Sequence, residues 1–329
     1  MTIKHLILSG GAYLGLYELG ALRYLNNIGF YSREKLVSIH GTSIGGFLGF
    51  IVSMGLPWED VVHYVVKRPW FKMAQVTPSS LFDMIQKKGL FDTELIAKAL
   101  VPLMKAADME EDITFGELKE RTGVDLHVYA IDLNKFSLCE LCANNTPDMS
   151  VVTGIRMTCA LPYVFQPVLH EGKYYIDGGL LNNFPADMCL DRYEPDKNEL
   201  LTMRFDIQNR TTEIGEDANL FQYSYFLYRK MIQSNREKHA YVHVENEVML
   251  PCKEMNMNDG YHVLMDEAQR EKMIMDGASF AKMFHEYKTG RERIQDSDDS
   301  VCEEEIIEEN GEKCGDQEGS EETNMQCMV

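Results

Sequence analysis

The chain has 329 residues, 45% of them apolar, enough for a substantial core in one large domain. Acidic residues outnumber basic ones by 52 to 32, for a net charge of −20. That balance excludes a nucleic-acid partner, because phosphate binding needs a cationic surface. Of this charge, −12 lies between Gln295 and Glu322, where thirteen Asp and Glu face one Lys. Residues 293–329 are therefore expected to form a disordered acidic tail, solvated on the first reading and bound to a protein partner on the second. Residues 1–292 are expected to be the folded domain. Eight cysteines fit a reduced intracellular protein, and Cys139-x-x-Cys142 lacks a second pair at zinc spacing. The start enters a strand with no leader pattern, no run is long enough to span a membrane, and Cys327 sits one place late for prenylation. The expectation is a cytoplasmic protein that meets membranes peripherally.

His5 to Ser9 reads as a strand that runs into Gly10-Gly11-Ala12-Tyr13-Leu14-Gly15. A helix follows with Leu16, Leu19, Leu22 and Leu25 on one face, ending near Gly29. Leu36 to His40 is a second strand, and Ile44 to Leu56 a second, apolar helix. Strand, helix, strand, helix implies an α/β fold with a parallel sheet. The spacing then predicts a helix over Thr93 to Leu103 with Asp92 as its cap, and a capping box at Thr114 and Glu117. Strands follow at Asp125 to Asp132 and Phe136 to Cys142, a helix over Ser150 to Cys159, and strands at Tyr174 to Ile176 and Leu200 to Ile207. Helices over Leu220 to Ser234 and Asp266 to Tyr287 flank a strand at Val248 to Pro251.

Gly41-Thr42-Ser43-Ile44-Gly45 is a G-x-S-x-G string between a strand and a helix. A serine on such a turn needs small flanking residues, here Gly41 and Gly45, and stands where the helix N-terminus favours negative charge. Ser43 is the candidate nucleophile; the plain alternative is a helix cap. Gly10-Gly11 also follows a strand and opens a helix. Its spacing fits neither a dinucleotide fingerprint nor a P-loop, since Leu16-Tyr17 follows Gly15. An oxyanion hole fits better, with a simple tight turn as the alternative. Asp177, before Gly178-Gly179, is a turn residue by itself and a general base in company with Ser43. His40, His239, His243, His262 and His285 are weighed as a third member and read as structural. Trp58, Trp70 and Phe71, beside Lys67, Arg68 and Lys72, suit a bilayer surface, though a packed helix pair is the preferred reading.

These three motifs, in this order, resemble the patatin-like phospholipases. Thr114-Phe-Gly-Glu-Leu118, Ile155-Arg-Met-Thr-Cys-Ala-Leu-Pro162 and Asp177-Gly-Gly-Leu-Leu-Asn-Asn-Phe-Pro185 extend the likeness over about residues 4 to 190. The resemblance implies a three-layer α/β/α fold with a mainly parallel central sheet and a Ser–Asp dyad. It implies that Ser43 attacks a lipid acyl carbonyl, that Asp177 is the base, and that backbone N–H groups of Gly10, Gly11 and Ala12 hold the oxyanion. It further implies calcium-independent phospholipase A chemistry, without metal or cofactor, at a membrane or micelle surface. The chain departs from the family at Ala12, where a third glycine is usual, and at Leu14, where a basic residue is usual. Leu14 makes a neutral-lipid hydrolase or transacylase the second reading. An inactive lipid-binding protein is the reading from another class.

Overall fold

The computed structural model describes residues 2–75, 84–208, 213–218, 220–238, 244–255 and 257–309. His239 and His243 lie outside them. β1 (His5–Leu8) leads through a short turn to α1 (Gly15–Asn27), β2 (Ser38–Thr42), α2 (Ile44–Met54) and α3 (Trp58–Lys67). β3 (Gly89–Phe91), α4 (Glu94–Ala106), α5 (Phe115–Thr122), β4 (Asp125–Asp132), β5 (Ser137–Leu141) and α6 (Val151–Thr158) follow. Next come β6 (Tyr163–Phe165), β7 (Val168–His170), β8 (Lys173–Asp177), α7 (Ala186–Tyr193) and β9 (Leu200–Gln208). The last elements are α8 (Leu220–Lys238), β10 (Glu247–Lys253), α9 (Met257–Met265) and α10 (Glu267–Glu309).

The sheet runs β10-β9-β1-β2-β4-β8-β7 with β5 also on β4, and it is parallel from β10 to β4. Side chains alternate along a strand, so its two faces need two covers. Leu6 and Leu8 of β1 join the main core with Leu22 and Leu25 of α1 and Phe50 of α2. Ile7 faces the other way and packs with Ala186 and Cys189 of α7. Helices thus cover both faces, as the α/β/α reading requires.

Register places the site. β4 pairs β2 as far as Thr42↔Tyr129, then pairs β8 antiparallel from Ala130↔Asp177. β5 pairs β4 over both stretches and takes its other edge. β2 and β8 therefore lie end to end along one edge of β4. The residue after Thr42 is brought beside Asp177, although the two are far apart in sequence.

The capping box forms: Thr114 Oγ1 accepts from the Glu117 N–H at 3.2 Å and the Glu117 carboxylate accepts from the Thr114 N–H at 2.9 Å. Trp58 is buried, with Nε1 donating to Asn26 Oδ1, so the packed reading of that tryptophan holds. Among the described residues, no helix is long and apolar enough to cross a membrane. Two compact units divide after Phe284. The first contains the sheet. The second begins at His285, and its backbone is helical to Glu309, inside the stretch expected to be a disordered tail.

Arg270, 5% exposed, ties α3, α9 and α10 together. Its guanidinium donates to Val66 O at 2.6 Å, Val263 O at 2.8 Å and Leu264 O at 3.0 Å. Arg270→Met keeps the stem and strands these carbonyls, so denaturant unfolding is expected to show a loss of about 3 kcal/mol.

Candidate active site

Ser43 occupies the turn between β2 and α2 with φ 56° and ψ −125°, a left-handed conformation that costs a non-glycine residue free energy. The turn is also crowded. A Cβ at Gly41 would lie 2.4 Å from the Gly45 carbonyl carbon, and one at Gly45 would lie 2.4 Å from Leu8 O. Both positions therefore need glycine, as the motif implies. The turn is held from below: the Ser43 N–H donates to Thr158 Oγ1 at 2.9 Å, and Thr158 Oγ1 donates to Tyr129 O at 2.5 Å.

Asp177 ends β8, with its N–H on Ala160 O at 3.0 Å. Its Oδ1 accepts from the Gly179 N–H at 2.8 Å, and the Ser43 side chain shares its cavity and favours the charged form. Burial raises its pKa to about 6, against the opposing pull of Ser43 and the Gly179 N–H. Asp177 is thus a carboxylate at neutral pH, more basic than a solvated one, and lines the same cavity as the hydroxyl it would deprotonate.

The oxyanion loop differs from expectation at one residue. The Gly10 N–H donates to Asn183 O at 3.0 Å, and Asn183 Nδ2 returns a bond to Gly10 O at 2.9 Å. Gly10 therefore anchors the loop and is not a free donor. Among the described residues, the N–H groups of Gly11 and Ala12 have no partner, and both residues line the same cavity as Ser43 and Asp177. Ala12 sits at φ 46°, a region that favours glycine. The loop keeps two unpartnered N–H groups, the second of them on a strained alanine.

The cavity wall also holds residues that the motifs do not mark. Phe205 comes from β9, Tyr228 and Arg229 from α8, and Glu254 from just after β10. Arg229 pairs with Glu254. Leu14 lines the cavity too, and a cation, Arg229, stands on its α8 wall.

No described histidine lines this cavity. The His40 ring turns from Ser43 to Tyr129 Oη at 2.7 Å and stacks on His127 with centroids 4.2 Å apart and planes 4° apart. Burial works against charge on His127, but hydrogen bonds to Asp125, Cys142 and Glu140 raise its pKa to about 10. His40 is pushed well down by burial and by that neighbouring charge. Lone pairs lie in the ring plane, so two parallel stacked rings do not converge on one ion. This cluster is a charge-compensated core, with His127 as an imidazolium between carboxylates.

A model of a family described as patatin-like phospholipase matches residues 6–190. The chain is 32% identical over 198 residues to probable lipid hydrolase 463L of Invertebrate iridescent virus 6, covering 60% of this chain and 66% of that protein. It is 28% identical over 196 residues to the uncharacterized protein YqhO of Bacillus subtilis, covering 54% and 64%. The chain thus spans slightly less than two thirds of the length of these relatives. Among solved structures, VipD from Legionella pneumophila shares the fold with a TM-score of 0.50 and 16% identity, over 88% of this chain and 67% of that one.

Proposed function

The chain belongs to the patatin-like phospholipase family, and on that premise we propose that it is a calcium-independent lipid acyl hydrolase cleaving phospholipid esters through Ser43 and Asp177. The observation that carries this reading is the Ser43 side chain facing a buried carboxylate of raised pKa, in one cavity with the unpaired N–H groups of Gly11 and Ala12. Ser43 Oγ attacks the acyl carbonyl while Asp177 takes its proton. The carbonyl oxygen becomes an oxyanion and accepts from Gly11 and Ala12, each donor lowering the barrier by about 3 kcal/mol. The intermediate collapses to an acyl-serine, and the leaving alkoxide takes the proton from Asp177. Water then attacks the acyl-serine, Asp177 takes a proton from it, and the fatty acid leaves as Ser43 recovers its hydrogen. Every step uses protein groups and water, so hydrolysis with excess EDTA is expected to match hydrolysis with calcium.

A phospholipid substrate is supported by Arg229, which places a cation on the cavity wall beside Glu254. Leu14, on the same wall, favours the second reading, a neutral-lipid substrate. A panel of phospholipids and acylglycerols, assayed with the full chain and with Arg229→Met, separates them. Phospholipid hydrolysis is expected to dominate and to fall about tenfold in the variant, with acylglycerol hydrolysis unchanged. Equal losses on both classes would assign Arg229 a purely structural role.

A further inference from the structure

α8 is apolar on two opposite sides, and the cavity uses one of them. Tyr225, Tyr228 and Ile232 line the cavity. Tyr223, Leu227 and Met231, four positions apart, share the outward side and are 51%, 46% and 42% exposed. A helix with two apolar sides needs a second apolar environment. The charge of the helix is unusual as well. From Leu220 to Lys238 it has four cations, Arg229, Lys230, Arg236 and Lys238, against one acid, Glu237, in a chain of net charge −20. The Lys230 ammonium lies 5.3 Å from the Phe226 ring on the helix surface. The one acid of α8, Glu237, lies in the last turn, and the acids before it in sequence, Glu213, Glu216 and Asp217, precede the helix.

We propose that the outward side of α8 docks on a lipid bilayer, with Tyr223, Leu227 and Met231 entering the boundary between headgroups and acyl chains. The inference rests on the lipid-hydrolase reading for its occupant, because α8 is a wall of the cavity that holds Ser43. A bilayer seated on that wall brings acyl chains to the cavity without a passage through water. The cationic helix suits an anionic lipid surface, which the rest of the chain repels. Three large side chains and a few cations give reversible docking, weaker than an anchor.

The test is co-sedimentation of the full chain with vesicles of phosphatidylcholine and phosphatidylserine. Wild type is compared with the triple variant Tyr223→Gln, Leu227→Gln, Met231→Gln, glutamine being a good helix former. Vesicle partitioning is expected to fall about tenfold or more in the triple variant, and to fall less in Leu227→Gln alone. Hydrolysis of a short-chain ester dissolved as monomers is expected to stay at the wild-type level in both, which also reports an intact fold. Equal partitioning of wild type and variant would overturn the proposal. So would a wild type that ignores vesicles, or one that self-associates through this side while the triple variant stays monomeric. Failure of the wild type on the soluble ester would instead count against the lipid-hydrolase reading, because vesicle binding is measured without turnover.

Discussion

Ser43→Ala is expected to lower ester hydrolysis by on the order of 10⁴-fold or more, because the variant lacks the hydroxyl that forms the acyl intermediate. Stability should change by no more than about 1 kcal/mol, since alanine meets the same left-handed backbone and the turn is held by main-chain bonds. If Ser43 were only the cap of α2, the result would invert: modest activity loss and a stability loss of about 1 kcal/mol or more. Turnover of a soluble ester, with a denaturant melt of the same preparation, distinguishes the two. The variant also removes the lowering influence of Ser43 on Asp177, whose pKa should then rise further above about 6.

Asp177→Asn is the second large effect, and it should move activity and stability in opposite directions. Hydrolysis falls by on the order of 10³-fold or more, because the amide cannot take the serine proton. Stability at pH 8 rises. The buried acid has a folded pKa of about 6, above its unfolded value near 3.9. A raised pKa means the protonated form suits the folded state. Its favourable contribution is complete below the unfolded pKa and is lost as pH climbs through the folded one. Two units correspond to about 3 kcal/mol of penalty at pH 8, which the neutral amide avoids while still accepting from the Gly179 N–H. The advantage of the variant should shrink toward pH 4. For the same reason, wild-type turnover should decline as pH falls through about 6, where the base becomes protonated. A merely structural Asp177 in a glycine turn would give a less stable variant and no such limb in the pH profile.

The first half of the fold is legible in the sequence because its signals are local. The strand before Gly10, the leucines at every third position of α1 and the glycines around Ser43 each dictate structure within a few residues. Strand β4 was legible from Asp125 to Asp132 because it is buried along its whole length. The second strand begins at Ser38 rather than Leu36, since only from Ser38 does the chain pair with both β1 and β4. The short strands β6 and β7 and helix α7 have no strong period to betray them. In the site, Ser43 and Asp177 could be named from motifs, but their meeting depends on β2 and β8 sharing an edge of β4. That Gly10 spends its N–H on Asn183 follows from a contact across 173 positions, which no local pattern encodes. Thr158 and Arg229 belong to the same class: their roles come from where helices pack.

The acyl-serine is the centre of the account, and trapping it is the most direct test. The protein is treated with a fluorophosphonate carrying a long alkyl chain, and the adduct is located by peptide mass spectrometry. The account predicts one adduct, on Ser43, forming at a much slower rate in Asp177→Asn. An adduct on a different side chain, or an unchanged rate in that variant, would contradict it.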